Sequence, residues 1–284
     1  MADDATEGSG LAGLPADGAG DGAFPEWGRV FALSPGETGR VRVGPLEMTI
    51  ARKEREWRVG LEQDPDPLRG DFAAIMPDPG LELPDAKILH RFAVADPSPE
   101  LTLTPRLADR SVVVRPARPF WLLAGDELEV FMSTPIWLAM TLLPKEQVVL
   151  DVPTSRPSDT WFGTSTREGE LCYASRTAAR LELADVPHRA ARALSVVLLR
   201  NRASEPVSLE RLHLPAPQLE LFTDAAGRLW TQAIELELGG PDAGELRFVP
   251  GPPPAAGDAV PIGAPRRPQA RRQLLVRALS GLWT

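Results

Sequence analysis

At 284 residues, with a formal charge of −8 and a pI near 5.1, the chain is long enough to bury a core unaided and too acidic for a general nucleic-acid binder, so no nucleic-acid partner is expected. Its one cysteine excludes an internal disulfide, and three scattered histidines (His90, His188, His213) form no local zinc motif, so neither a metal nor a cofactor is expected. No apolar run approaches the roughly 20 residues that span a bilayer; the nearest, Ile136 to Leu143, stops at Pro144.

Residues 1–24 hold Asp3, Asp4, Glu7, Asp17 and Asp21 with no Lys or Arg and almost nothing apolar, which reads as a disordered acidic tail and not as a signal peptide. A soluble, cytoplasmic chain is expected. The chain's 30 prolines and 24 glycines, recurring through the sequence from Trp27 onward, leave little room for long helices and predict short strands joined by turns. Gly28–Leu33, Gly39–Val43, Leu46–Ala51 and Trp57–Leu61 read as a meander. Within it Leu46, Met48 and Ile50 alternate with Glu47 and Thr49, and Trp57, Val59 and Leu61 with Arg58 and Gly60, as half-buried antiparallel strands do.

The proline-broken stretch 64–86 reads as an irregular connection. Strands resume at Ile88–Val94, Leu101–Thr104, Ser111–Arg115, Glu127–Ser133 and Ile136–Leu143, a spacing typical of sandwiches. After residue 177 the style repeats, with Ser195–Leu199, nearly all apolar, expected as a central strand. The fold class predicted is all-β: two packed antiparallel sandwich-like modules, residues 25–150 and 151–240. A Pro/Gly tether over 241–265 and a short basic amphipathic helix over 266–284 follow, the helix resting on Pro268 in its first turn and Leu275, Ala278, Leu279 and Leu282 at helical spacing.

Chemistry-bearing residues concentrate in the segment RPSDTWFGTSTREGELCYASRT, 156–177. Arg156, Asp159, Trp161, Arg167, Glu168, Glu170, Tyr173 and Arg176 form the candidate ligand-binding set: arginines grip carboxylate or phosphate bidentately, and an exposed indole offers an apolar platform. The competing reading is a structural arch whose ion pairs pin the two modules together. No catalytic residue is assigned. Asp159, Glu168 and Glu170 supply carboxylates for a carbohydrate-active or other hydrolytic enzyme only if two of them face one cleft. Cys172 is expected to have no nearby histidine to activate it, His213 and the others reading as isolated, and neither a nucleophile elbow nor a phosphate loop occurs. Among the tryptophans, Trp57, Trp121 and Trp137 read as core and Trp161 as the site candidate. Leu275, Leu279, Leu282 and Trp283, interleaved with arginines, read as a docking face for a protein partner or an anionic membrane surface, against the plainer reading of a helix packed on its own sheet.

The 156–177 segment, the preceding FMSTPIWLAM and the terminal RRQLLVRALSGLW resemble the family known as domain of unknown function 432, most specifically through Gly-x-x-Thr-Arg-Glu-Gly-x-Leu-Cys-Tyr at Gly163 to Tyr173. The resemblance runs from about Trp27 to the end. It implies a β-rich intracellular protein with no assigned activity, cofactor or catalytic residue. It also implies an accessory role beside a membrane protein such as a mechanosensitive channel. Three functions follow as expectations: a non-enzymatic binding or accessory module, a hydrolytic enzyme using the carboxylates of 156–177, or a purely structural scaffold.

Overall fold

The computed structural model describes residues 26–95, 98–116, 118–163, 167–239, 244–269 and 272–274. The expected acidic tail and the docking residues Leu275, Leu279, Leu282 and Trp283 lie outside them. In chain order the strands of the first half are β1 (Val30–Ala32), β2 (Thr38–Val43), β3 (Leu46–Lys53), β4 (Glu56–Gln63), β5 (Phe72–Ile75), β6 (His90–Ala93), β7 (Glu100–Arg106), β8 (Val112–Pro116), β9 (Phe120–Leu122), β10 (Glu127–Pro135) and β11 (Trp137–Leu142). The rest are β12 (Gln147–Pro153), β13 (Ser158–Gly163), β14 (Gly169–Ala179), β15 (Arg192–Asn201), β16 (Val207–Leu209), β17 (Leu212–Leu214), β18 (Leu221–Thr223), β19 (Leu229–Thr231), β20 (Ile234–Leu238), β21 (Gly244–Phe248), β22 (Val260–Gly263) and β23 (Arg272–Leu274). Helical structure among the described residues is limited to single 3-10 turns, so the all-β class holds.

The meander β5-β2-β3-β4-β6 forms where alternation placed it. Leu46, Met48, Ile50, Trp57 and Val59 are buried, while Glu47, Thr49 and Arg58 are half-buried on the other face. Beside it lies the sheet β1-β7-β11-β12. The largest sheet runs β22-β18-β19-β15-β20-β21-β23, and β15 is its centre. β10 lies antiparallel along the length of β15, whereas β19 and β20 share the opposite edge, both parallel to it. Ser195–Leu199 is thus the central strand its apolar run predicts. Buried Asn201 closes the end of β15: its Nδ2 lies 3.0 Å from the Leu122 carbonyl and 2.9 Å from that of Glu205, and its Oδ1 accepts from the Ala203 amide.

One apolar cluster runs from Leu33 to Leu246 through strands of all five sheets and both sides of the expected boundary at residue 150. Hydrogen bonding crosses that boundary as well, β10 pairing β15 and β8 pairing both β14 and β17.

Three expectations are corrected. The tether over 241–265 contains β21 and β22, both paired within the large sheet. The C-terminal helix is not formed in the described part of 266–284: residues 272–274 pair antiparallel with β21 as β23. What competes with the helix is polar and specific. Arg266 forks onto Asp151 through Nη1 (2.6 Å) and Nη2 (2.9 Å) while its Nε donates to the Leu107 carbonyl, and the Arg267 amide donates to Pro217, fixing an extended path before the leucine stripe begins. Trp121, expected in the core, is 63 % exposed. In β9 the period of two turns Leu122 inward and leaves Trp121 facing out.

Candidate functional site

The segment read as a binding or structural arch is a β-hairpin. Six residue pairs join β13 to β14, from Ser158 opposite Ala174 to Gly163 opposite Gly169. The glycines are required by space: a Cβ on Gly163 would run into the Glu168 carbonyl oxygen, and one on Gly169 would meet the Phe162 carbonyl at 2.5 Å. The hairpin belongs to the sheet β13-β14-β8-β17, in which β14 is parallel to β8 and β8 antiparallel to β17. β13 is therefore an edge strand, with no strand on its outer side among the described residues.

Alternation divides the candidate residues between two faces. On the inner face Phe162 and Cys172 pack with Val113, and the Phe162 ring lies 4.8 Å from that of His213 on β17. His213 Nε2 meets Glu170 Oε1 at 2.5 Å, and the Cys172 thiol donates to the same oxygen at 3.5 Å. An ionised carboxylate only accepts, so Nε2 carries the shared proton; Nδ1 is buried with no partner among the described residues. The His213 hydrogen bond, aided by the Ser111 hydroxyl and opposed by partial burial, holds the Glu170 carboxyl down at about 2. Burial and the adjacent Glu170 charge push the Cys172 thiol up to about 12. A fully buried thiol at that value is not a poised nucleophile.

The outer face carries Asp159, Trp161, Leu171 and Tyr173. At its inner end Tyr173 packs 5.5 Å from the Trp137 ring and donates its hydroxyl to Asp109 at 2.9 Å. Arg110 lies over the Tyr173 ring and pairs with Asp159 at 3.2 Å. Towards the turn the same face opens to solvent: Trp161 and Leu171, directly opposite each other across the ladder, are 41 % and 46 % exposed. The exposed Arg167 and Glu168 lie in the turn just before the return strand β14.

Of the predicted set, Asp159, Trp161 and Tyr173 thus share one face, Glu170 points to the other, and Arg156 is exposed before β13. Arg176 falls within β14, and its side chain lies outside the described residues. Asp159 and Glu170 sit on opposite faces, so these two carboxylates do not converge on one cleft. Two expectations about ligand chemistry are corrected here: His213 is not isolated, and Cys172 does have a histidine beside it. Sequence reading missed His213, Ser111, Asp109 and Arg110 because β8 and β17, not chain proximity, bring them to the hairpin. The available signal was the buried Leu212–Leu214 run, whose pairing partner the sequence does not name.

A family model described as protein of unknown function (DUF432) matches residues 26–281. No curated protein and no solved structure matches the chain.

Proposed function

Because the chain belongs to the DUF432 family, whose function is unknown, we propose from the hairpin's geometry that it is a binding module that captures an extended segment of a partner protein along the edge of β13. The observation that carries the reading is the exposed cross-strand pair Trp161 and Leu171 beside an open strand edge. An edge strand offers unpaired main-chain donors and acceptors to a further strand, and flanking apolar side chains select the incoming sequence. Tryptophan at the centre of a charged rim is the composition of a binding hot spot. The charged residues nearby are Asp159 on the same face, paired with Arg110, and the exposed Arg167 and Glu168 in the adjoining turn. The family resemblance makes a membrane protein such as a mechanosensitive channel the first partner to try.

Selection of phage-displayed random decapeptides on the folded chain tests this. Enriched peptides should alternate apolar residues and lose at least tenfold in affinity for the Trp161→Ala, Leu171→Ala double variant, whose melting temperature should stay close to that of the parent. Failure to enrich any peptide, or equal binding to the variant, favours a purely structural scaffold and removes the proposal.

A further inference from the structure

The inner face of the hairpin carries a second site that is independent of the edge. The chain has one cysteine and three histidines, and the cysteine and one histidine meet a carboxylate there: the ligand atoms of Glu170, Cys172 and His213 all lie within 4.8 Å of one another. We propose that these three side chains bind a zinc-class divalent cation, leaving the fourth position to water on the solvent side of Glu170.

The donor set selects the metal. Thiolate and imidazole favour zinc, cobalt and copper ions over magnesium and calcium, and three protein ligands with one open position is the arrangement of a tetrahedral site that keeps a water. Ligands at ordinary zinc bond lengths and tetrahedral angles stand about 3.3–3.6 Å apart. The Sγ to Oε1 separation is 3.5 Å, Nε2 to Oε1 is 2.5 Å and all three ligand atoms lie within 4.8 Å, so entry of the ion requires the histidine–carboxylate contact to open by about 1 Å and the sulfur and nitrogen to settle at tetrahedral spacing. The surroundings are those of a metal site. Cys172 is fully buried and the His213 side chain is 3 % exposed, so two ligands are held by packing between Phe162 and Val113. The Ser111 hydroxyl, itself buried, hydrogen-bonds Glu170 and orients it from the second layer. Glu170 alone keeps a solvent-facing side, with 36 % of its side chain exposed. Without a cation the two potential anions, thiolate and carboxylate, share a small volume, and the thiol stays protonated. A divalent ion reverses that balance: the thiol releases its proton to solvent, the imidazole proton moves from Nε2 to Nδ1 by exchange with solvent, and the freed sulfur, nitrogen and oxygen each donate a lone pair to the metal. The ion would then join β14 to β17 across β8, a pin near the turn of the hairpin.

The test uses the untagged full-length chain, stripped with chelator and titrated with Co²⁺ while absorption is recorded. The expected result is a near-ultraviolet thiolate-to-cobalt charge-transfer band that saturates at one ion per chain, with four-coordinate visible bands, all displaced by one equivalent of Zn²⁺. With a single cysteine in the sequence, that band can come from Cys172 alone. His213→Gln and Glu170→Gln should each weaken cobalt binding by at least about tenfold. A folded wild-type chain with no charge-transfer band, or one whose affinity neither variant changes, overturns the proposal. Peptide selection at the β13 edge does not read this site, so either proposal can fail without the other.

Discussion

Asp224 shows how much one side chain can organise. Its Oδ1 accepts the Ala226 and Arg228 amides at 2.9 and 3.0 Å, and its Oδ2 accepts the Arg228 guanidinium at 2.6 Å and the Trp230 indole at 3.1 Å. Burial opposes ionisation, but these four donors outweigh it and hold the carboxyl below its ordinary value. The side chain is only 6 % exposed. A depressed folded-state value means the stabilisation is fully present above the unfolded value, near pH 4, and is lost as pH falls through the folded one. Asp224→Asn should therefore lower unfolding free energy by about 2–3 kcal/mol at pH 7, with a gap to wild type that narrows below about pH 4. Denaturant titrations across pH check this, and a gap unchanged down to pH 3 contradicts it. At this scale the sequence was legible where alternation is strict, as at Met48 and Trp57, and misleading where a strand is short. The apolar neighbours of Trp121 suggested core, yet in three residues the pleat alone decides which side faces out.

Elements were readable by type and less so by ending. The strands about Leu46, Trp57 and Ser195 formed as their patterns required. The 156–177 segment did not announce a hairpin, because its polar residues interrupt both periods and its register rests on two glycines facing each other. That crowding makes a prediction: Gly163→Ala must push strand from strand and should destabilise the chain by about 1–3 kcal/mol in urea melts, whereas a change within about 0.5 kcal/mol would show that the turn yields freely. In the described part of 266–284 the expected helix is not formed, for a reason invisible to periodicity. A leucine stripe competes poorly with an arginine that finds Asp151, 115 residues away, and with a vacant edge on β21. The grouping of Glu170, Cys172 and His213 was equally illegible, since it depends on β8 lying between β14 and β17.

Over the whole molecule, class and turn spacing were legible from composition, and connectivity was not. Parallel pairings such as β14 with β8 and β15 with β20 join segments far apart in the chain, and no local pattern encodes them. They have an energetic consequence. A fragment of residues 26–150 would leave β8 and β10 without their partners and expose the apolar sides of both, so it should show neither a cooperative melt nor dispersed amide resonances, while the full chain melts in one transition. A fragment that folds alone would show that the pairings across residue 150 are dispensable. The proposed binding role rests on β13, which among the described residues is the edge of its sheet. Amide hydrogen exchange over residues 158–163, with and without a peptide selected on the folded chain, tests that most directly. Protection should rise in β13 on binding while the amides around Trp121 stay unchanged; protection gained elsewhere, with β13 exchanging as before, would contradict it.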